Sequence, residues 1–538
     1  MKFAPVTIPD LTAALHERGF SYVGRKLNGW MMFTGDLRLK TKSYSCEIAV
    51  SPDLNTFPLV WLTPLTAGRR ELLPHLSADG YLCYLALDSV IFDFFDPIRQ
   101  TMACLDRAEE VLEDILAGKM DADLAEEFHV TWGTTLCLLD VNESQPGVLE
   151  SYAMGPWGTL VTDDKTRTGA KLNAMGVGPP EIEVSAFRVS TKSRPMPLQG
   201  KWPPKTVQAF LQWQTTLDKR CSKKIEQRLL KVFRDKATRV LVLIDSPVVQ
   251  YGIEVELRRQ PVGLGKKTSL REDLYRLPIR KVSVYRIDDK YLAGRNLPGS
   301  RTLAGLKVCL IGCGTIGGYI AEMLAKAGAG TVDGKLTLVD IGSFEPGNLG
   351  RHRLGFNALL KRKAVAMCDE IRRIAPSTDV VAIADDARAV NLGPLDLLID
   401  ATGEQGLTDW LTWKYADKVP FLSAWVEGTG VAVRALMKAK PEHACARCVS
   451  QWPLKDRYRV FDVPPEVIMK GHGCEGLYVP FPASTSIQAA ALAMEMVQAW
   501  LDGAETPSFR TRVLDQSRLV HFKDCSPQRY EGCPACAT

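Results

Sequence analysis

Six of the chain's 14 cysteines sit in patterns that can do chemistry. Cys445 and Cys448 form HACARC, and Cys533 and Cys536 form EGCPAC. Two CxxC knuckles supply four thiolates, the tetrahedral set of a structural zinc ion, which would pin the C-terminal end onto the core. Between the knuckles, Cys474 lies in GHGCEGLYVPFPAS, where glycines and prolines describe an exposed loop. With His472 close by, a thiol there becomes a nucleophile once its thiolate is stabilised.

A second chemistry is written in glycines. The apolar run LKVCLI leads into Gly312-Cys313-Gly314-Thr315-Ile316-Gly317, which opens a helix reaching about Gly328. Glycines let the backbone turn tightly and approach a ligand, and the helix start offers free amides to a phosphate. The next apolar run, KLTLVD, ends at Asp340, 23 residues beyond Gly317, where a carboxylate can accept ribose hydroxyls. NAD is the obvious ligand of such a loop. Asn348, Arg351 and Lys363, just past that run, argue instead for an enzyme that stabilises charge on a triphosphate.

Three regions must position these residues. Met1 to about Val141 carries helix patterns at Ile8–Arg18 and Asp96–Ala117 and strand patterns at Trp30–Phe33, Tyr44–Val50 and Leu59–Leu62. The stretch 142–298 is turn-rich (GPWGTL, GVGPPE, KWPPK), with one helix pattern, Pro204–Phe233, and a buried strand run, RVLVLID; it reads as an α+β connecting domain. In 299–538, LKVCLIG, KLTLVD, DVVAIA and DLLIDAT alternate with helical stretches, predicting a parallel, doubly wound α/β domain covered on both faces. Lys and Arg number 67 against 62 Asp and Glu, with no single-sign block, so charge makes no case for nucleic acid or a membrane surface. Neither a leader pattern nor an apolar run of ~20 residues is present, so the expected location is cytoplasmic and its thiols reduced.

The glycine loop, Asp340, NLGRH and Lys363 resemble the adenylation domain shared by ubiquitin-activating enzymes and the sulfur-carrier adenylyltransferases of thiamin and molybdopterin synthesis. That resemblance implies that Gly312, Gly314, Gly317 and Asp340 hold ATP while Asn348, Arg351 and Lys363 line its phosphates. A ubiquitin-like protein's C-terminal carboxylate would attack the α-phosphate, giving an acyl-adenylate and pyrophosphate. The family's Mg-binding motif, similar to DxTDN, is here Asp400-Ala401-Thr402-Gly403-Glu404, leaving Asp400 or Glu404 to hold Mg. An arginine before the first strand reaches a partner subunit's active site in that family; KYLAGRN offers Arg295, implying a homodimer. The same family carries the paired zinc knuckles, and its members that go beyond adenylation place a thioester-forming cysteine where Cys474 lies.

FPLVWLTP and the run His75–Cys83 resemble the core of ubiquitin-conjugating enzymes, where a His-Pro-Asn motif precedes a Gly-x-x-Cys bearing the catalytic cysteine. Gly80 precedes Cys83 by three residues and His75 precedes it by eight. Leu76-Ser77 replace Pro-Asn, so the asparagine that stabilises the oxyanion is missing, and a backbone amide or another side chain would have to act. Both modules on one chain imply a relay: adenylation, thioester on Cys474, transfer to Cys83, then conjugation to a target amine. Such fusions resemble the ancillary protein of bacterial antiphage CBASS systems, which conjugates the C-terminus of a cGAS/DncV-like nucleotidyltransferase and primes that synthase. A ThiF/MoeB-type sulfur-carrier adenylyltransferase, an NAD oxidoreductase and a non-enzymatic scaffold are the rival readings.

Overall fold

The computed structural model describes residues 6–536 apart from 64–71, 78, 87–88, 134, 143–147, 155–157, 178–181, 199–201, 258–268, 452–456, 462–477 and 517–522. Near the N-terminus, Thr7 and Asp10 cap each other reciprocally and start α1 (Ile8–Glu17). Four antiparallel strands follow in sequential order, β1 (Ser21–Arg25), β2 (Met31–Arg38), β3 (Ser43–Val50) and β4 (Leu59–Leu62). Helix α2 (Pro97–Leu116) buries Cys104, Leu105, Ala108, Val111, Leu112 and Ile115 at helical spacing, in one core with Phe33, Ile48 and Val60 of the sheet. Past β4 the pairing continues: Leu82 N–H donates to the Val60 carbonyl at 2.9 Å, and Cys83 N–H to the His75 carbonyl at 2.8 Å.

The middle of the chain closes into a seven-stranded barrel. Its strands are β5 (Thr135–Asp140), β6 (Val148–Ala153), β7 (Thr159–Thr162), β8 (Ile182–Ser190), β9 (Arg239–Asp245), β10 (Gln250–Glu256) and β11 (Ile279–Arg286), in the order β10-β11-β5-β7-β6-β8-β9. Strand β5 precedes the boundary expected at 141/142, and Phe128 and Trp132 of α3 (Phe128–Trp132) pack in the same core as Tyr251 of β10. Between β7 and β8 lies α4 (Lys165–Ala174). The single helix expected over 204–233 is two, α5 (Val207–Leu217) and α6 (Lys219–Arg234). Asp218 breaks it: its backbone is extended, and its carboxylate accepts the N–H groups of Arg220 and Cys221, capping α6. A short helix, α7 (Leu270–Arg276), precedes β11.

Helix α8 (Asp289–Gly294) joins the barrel to the C-terminal unit. Buried Asp289 takes an ion pair from Lys171 of α4 at 2.8 Å and a hydrogen bond from Ser377 Oγ at 2.6 Å, so the barrel, the joining helix and the C-terminal unit meet at one carboxylate. The C-terminal sheet runs β14-β13-β12-β15-β16-β17-β18. Strands β12 (Lys307–Ile311), β13 (Lys335–Val339), β14 (Val380–Ile383), β15 (Leu397–Asp400) and β16 (Phe421–Glu427) pair in parallel. The last two strands, β17 (Ala432–Lys438) and the edge strand β18 (Phe509–Val513), are antiparallel, a feature the alternating pattern does not predict. Helices α9 (Gly317–Lys326), α10 (Lys363–Ile374) and α13 (Ala483–Leu501) cover one face against Val308 and Leu310; α11 (Gln405–Tyr415) covers the other against Cys309 and Ile311. The alternate residues of β12 thus enter opposite cores, as a doubly wound sheet requires. A further short helix, α12 (Ala446–Ser450), carries Cys448 and is capped by Cys445. Among the described residues no helix is long and apolar enough to cross a membrane.

Candidate functional site

Strand β12 is flanked by β13 on one side and β15 on the other, so the loop leaving its C-terminal end opens at the switch point of the sheet. That loop holds Gly312, Gly314 and Gly317. Gly312 has φ +89°, and a Cβ on it would lie 2.9 Å from the Thr402 amide nitrogen. On Gly317 a Cβ would sit 1.8 Å from the Gly312 carbonyl oxygen. These two glycines are needed for the fold of the turn itself, whereas Gly314 faces open space, the room a phosphate would take. Asp340, at the end of β13, accepts the Cys313 N–H at 2.7 Å and the Gly342 N–H at 2.6 Å, binding the loop to its neighbour. Lys363 begins α10, and its ammonium and the Asp340 carboxylate flank Gly342, at 3.2 and 3.0 Å from a Cβ placed there.

The NLGRH segment folds under this loop. Asn348 closes a short helical turn by accepting the Glu345 N–H on its side chain. The Arg351 guanidinium donates to the Val479 carbonyl at 2.9 Å and lies over the Phe481 ring at 4.3 Å; burial pulls its pKa down. His352, unassigned by the sequence reading although it stands in the quoted motif, is buried beneath the loop. Its Nδ1 accepts the Leu354 N–H at 3.0 Å, which leaves Nε2–H to donate to the Cys313 carbonyl at 2.8 Å, and burial lowers its pKa. A neutral imidazole therefore ties the phosphate-side segment to the glycine loop. Asp400 is buried, and accepts from Thr402 N–H, Thr402 Oγ and Thr408 Oγ at 3.0, 2.7 and 2.5 Å; burial raises its pKa. Glu404, the alternative, is exposed at the start of α11. Arg295 is exposed at the end of α8, and its guanidinium donates to the side chain of its neighbour Asn296.

Four thiols converge at the other end of the unit. Cys445, Cys448, Cys533 and Cys536 are buried, and their sulfurs all lie within 4.8 Å of one another. Adjacent sulfurs are 3.5 to 3.7 Å apart. Four Zn–S bonds of about 2.3 Å in a tetrahedron separate sulfurs by ~3.8 Å, so the cluster fits that ion. Cys474 and His472 lie outside the described residues.

Cys83 is half-buried at the end of a hairpin formed by residues 75–83. His75, at φ +58°, gives its backbone N–H to Glu127, and its ring nitrogens meet Glu127 Oε1 at 2.7 Å and Asp123 Oδ2 at 3.0 Å. Burial and then the field of Glu127 raise the Cys83 thiol pKa. Neither acid carries a local sequence signal, since both reach the site from 40 or more residues downstream. Cys46, Cys104 and Cys137 are buried.

Residues 291–535 match the ThiF family, and residues 36–136 match Prokaryotic E2 family B. An adenylation domain and a ubiquitin-conjugating-like domain on one chain define an ATP-dependent activating and conjugating enzyme. The ATP-dependent ubiquitin transferase-like protein Cap2 of Pseudomonas aeruginosa is 44% identical over 535 residues, 98% of each chain. The chain therefore belongs to the Cap2 family of ATP-dependent ubiquitin transferase-like proteins. Cap2 of Escherichia coli is 24% identical, covering 89% of this chain and 88% of its own. Molybdopterin-synthase adenylyltransferase of Escherichia coli is 26% identical over 46% of this chain and 92% of that protein. A crystal structure of E. coli MccB with ATP aligns at TM-score 0.33 and 17% identity, over 46% of this chain and 69% of that one.

Proposed function

We propose that this enzyme adenylates the C-terminal carboxylate of a protein, carries it as a thioester on Cys474, passes it to Cys83 and joins it to a target amine. In this reading Gly312, Gly314, Gly317 and Asp340 hold ATP, Asn348 hydrogen-bonds its phosphates, and Arg351 and Lys363 neutralise them as charge develops on the α-phosphate. The carboxylate oxygen attacks that phosphorus, pyrophosphate leaves, and the acyl-adenylate is open to a thiolate. Glu404 is the exposed carboxylate with room to hold Mg, whereas Asp400 is buried and already accepts three hydrogen bonds. A bound Mg ion would supply charge neutralisation at the phosphates. Zinc on Cys445, Cys448, Cys533 and Cys536 would be structural. A second copy placing Arg295 at this site would make the enzyme a homodimer. We place the connecting barrel between a conjugating unit ending near residue 127 and an activating unit beginning near 299.

The observation carrying this reading is that the phosphate-facing loop and the Cys83 hairpin belong to one chain of the Cap2 family. We assign the activated carboxylate to a cGAS/DncV-like nucleotidyltransferase, with a role in CBASS defence in the cytoplasm. The test is trapping with ATP and that synthase. Cys474→Ala is expected to keep ATP–pyrophosphate exchange and form no thioester; Cys83→Ala is expected to stall with the thioester on Cys474. A thioester on neither cysteine overturns the relay, and turnover unaffected by Cys83→Ala favours a sulfur-carrier adenylyltransferase.

A further inference from the structure

Attack on a thioester puts negative charge on its carbonyl oxygen, and an enzyme that speeds the step needs a donor there. The hairpin lacks the asparagine that would serve, and its geometry accounts for nearly every substitute. The backbone amides of residues 82 to 84 are spent: Cys83 N–H goes to the His75 carbonyl at 2.8 Å, Leu82 N–H to Val60 at 2.9 Å, and Tyr84 N–H to Leu82 at 3.1 Å. Side chains are spent as well. Ser77 Oγ donates to the Asp79 carboxylate and accepts the Tyr81 N–H. The Tyr84 hydroxyl donates to the Pro58 carbonyl at 2.5 Å, and both ring nitrogens of His75 are on carboxylates.

Tyr81 remains. Residues i and i+2 of an extended strand share a face, so Tyr81 and Cys83 emerge on the same side while Leu82 between them is fully buried. Tyr81 pairs across the strands with Trp61, their rings 5.7 Å apart, and the Lys26 ammonium lies over that indole at 4.3 Å. The phenol ring is therefore held in place from one side. A half-buried tyrosine ordinarily finds a partner for its hydroxyl, yet among the described residues this one has none. Burial and then the neighbouring Cys83 raise its pKa, which keeps it a proton donor.

We propose that the Tyr81 hydroxyl is the oxyanion donor of the Cys83 site, a role that rests on reading Cys83 as the acyl acceptor. As the amine nitrogen bonds to the thioester carbon, the carbonyl π pair moves onto oxygen and receives the Tyr81 hydrogen bond; the phenol keeps its proton. When the carbonyl re-forms, the C–S bond breaks, sulfur leaves with the bonding pair as the Cys83 thiolate, and the amine's proton passes to water.

The test uses full-length protein, an acetyl-Gly-Gly thioester of mercaptoethanesulfonate as acyl donor and hydroxylamine as amine, with acylation of the Cys83 peptide followed by mass spectrometry. Tyr81→Phe retains the ring against Trp61, so unfolding is excluded by an unchanged melting temperature. Discharge from Cys83 is expected to slow roughly a hundredfold to a thousandfold, the scale of one lost oxyanion donor, without a change in ATP–pyrophosphate exchange. Tyr81→Phe discharging at the parent rate overturns the role of Tyr81 alone. A Cys83 that takes no acyl group from the donor in the parent enzyme overturns the reading of Cys83, and the proposal with it.

Discussion

Cys83 works against its surroundings. Its thiol is raised by burial first and by the Glu127 carboxylate second, so less of it is thiolate at neutral pH than in an exposed cysteine. Glu127→Gln removes the negative charge and leaves the burial. The midpoint of iodoacetamide alkylation at Cys83 is expected to move to lower pH, with faster alkylation at neutral pH; an unchanged or higher midpoint refutes the electrostatic account. The glycine loop, Asp340 and the cysteine knuckles were legible in the sequence because each is local, its spacing dictated by one turn or one ligand geometry. Asp123 and Glu127 were not, since nothing near them in sequence reveals that they close on His75 across the fold. Tyr81 was hidden differently. Its position beside Cys83 is plain, but its significance depends on the occupation of the donors around it, which only the fold reveals.

Helices α5 and α6 show where pattern reading gives way to a single capping residue. Apolar positions recur at helical spacing through both, so periodicity runs across the break unaltered. Asp218 decides the matter by accepting two amide protons of α6 and the Thr191 hydroxyl, at 2.8 Å, while its backbone stays extended. Those hydrogen bonds hold its carboxyl pKa below the ordinary value despite its burial. Asp218→Ala is expected to destabilise the barrel unit by about 1 kcal/mol, read from denaturant unfolding, with ATP–pyrophosphate exchange unchanged. Wild-type stability in that variant removes the cap from the account. The stabilisation Asp218 gives is present at neutral pH and lost as pH falls through its depressed pKa, because the unfolded carboxyl protonates first. Parallel strands of the C-terminal sheet were readable as apolar runs bounded by turns. The barrel was not, because its closure depends on parallel pairings such as β5 with β11, almost 150 residues apart, which no local pattern encodes.

At the scale of the molecule, two buried polar clusters fix how the parts are joined. Asp289 binds barrel to activating unit through Lys171 and Ser377. At the far edge of the sheet, the four cysteines draw the chain's end onto the strands, with Leu436 of β17 and Phe509 of β18 in the same core. Cys445 and Cys533 stand 88 residues apart in sequence, so without the cluster only apolar packing and a few hydrogen bonds hold residues 523–536 in place. A thiolate-bound zinc ion would stabilise the folded form strongly, since unfolding scatters its ligands. One zinc per chain is expected by metal analysis of protein purified without added metal. Removal by a strong chelator is expected to lower the melting temperature and to make the C-terminal segment the first site of limited proteolysis. Nucleotide binding should persist in the chelated protein at temperatures where it stays folded, because the glycine loop sits at the C-terminal end of β12, in the interior of the sheet, and takes no residue from the knuckles. Metal-free protein with an unaltered melting temperature and the same cleavage order would mean that the four thiols are held by packing alone.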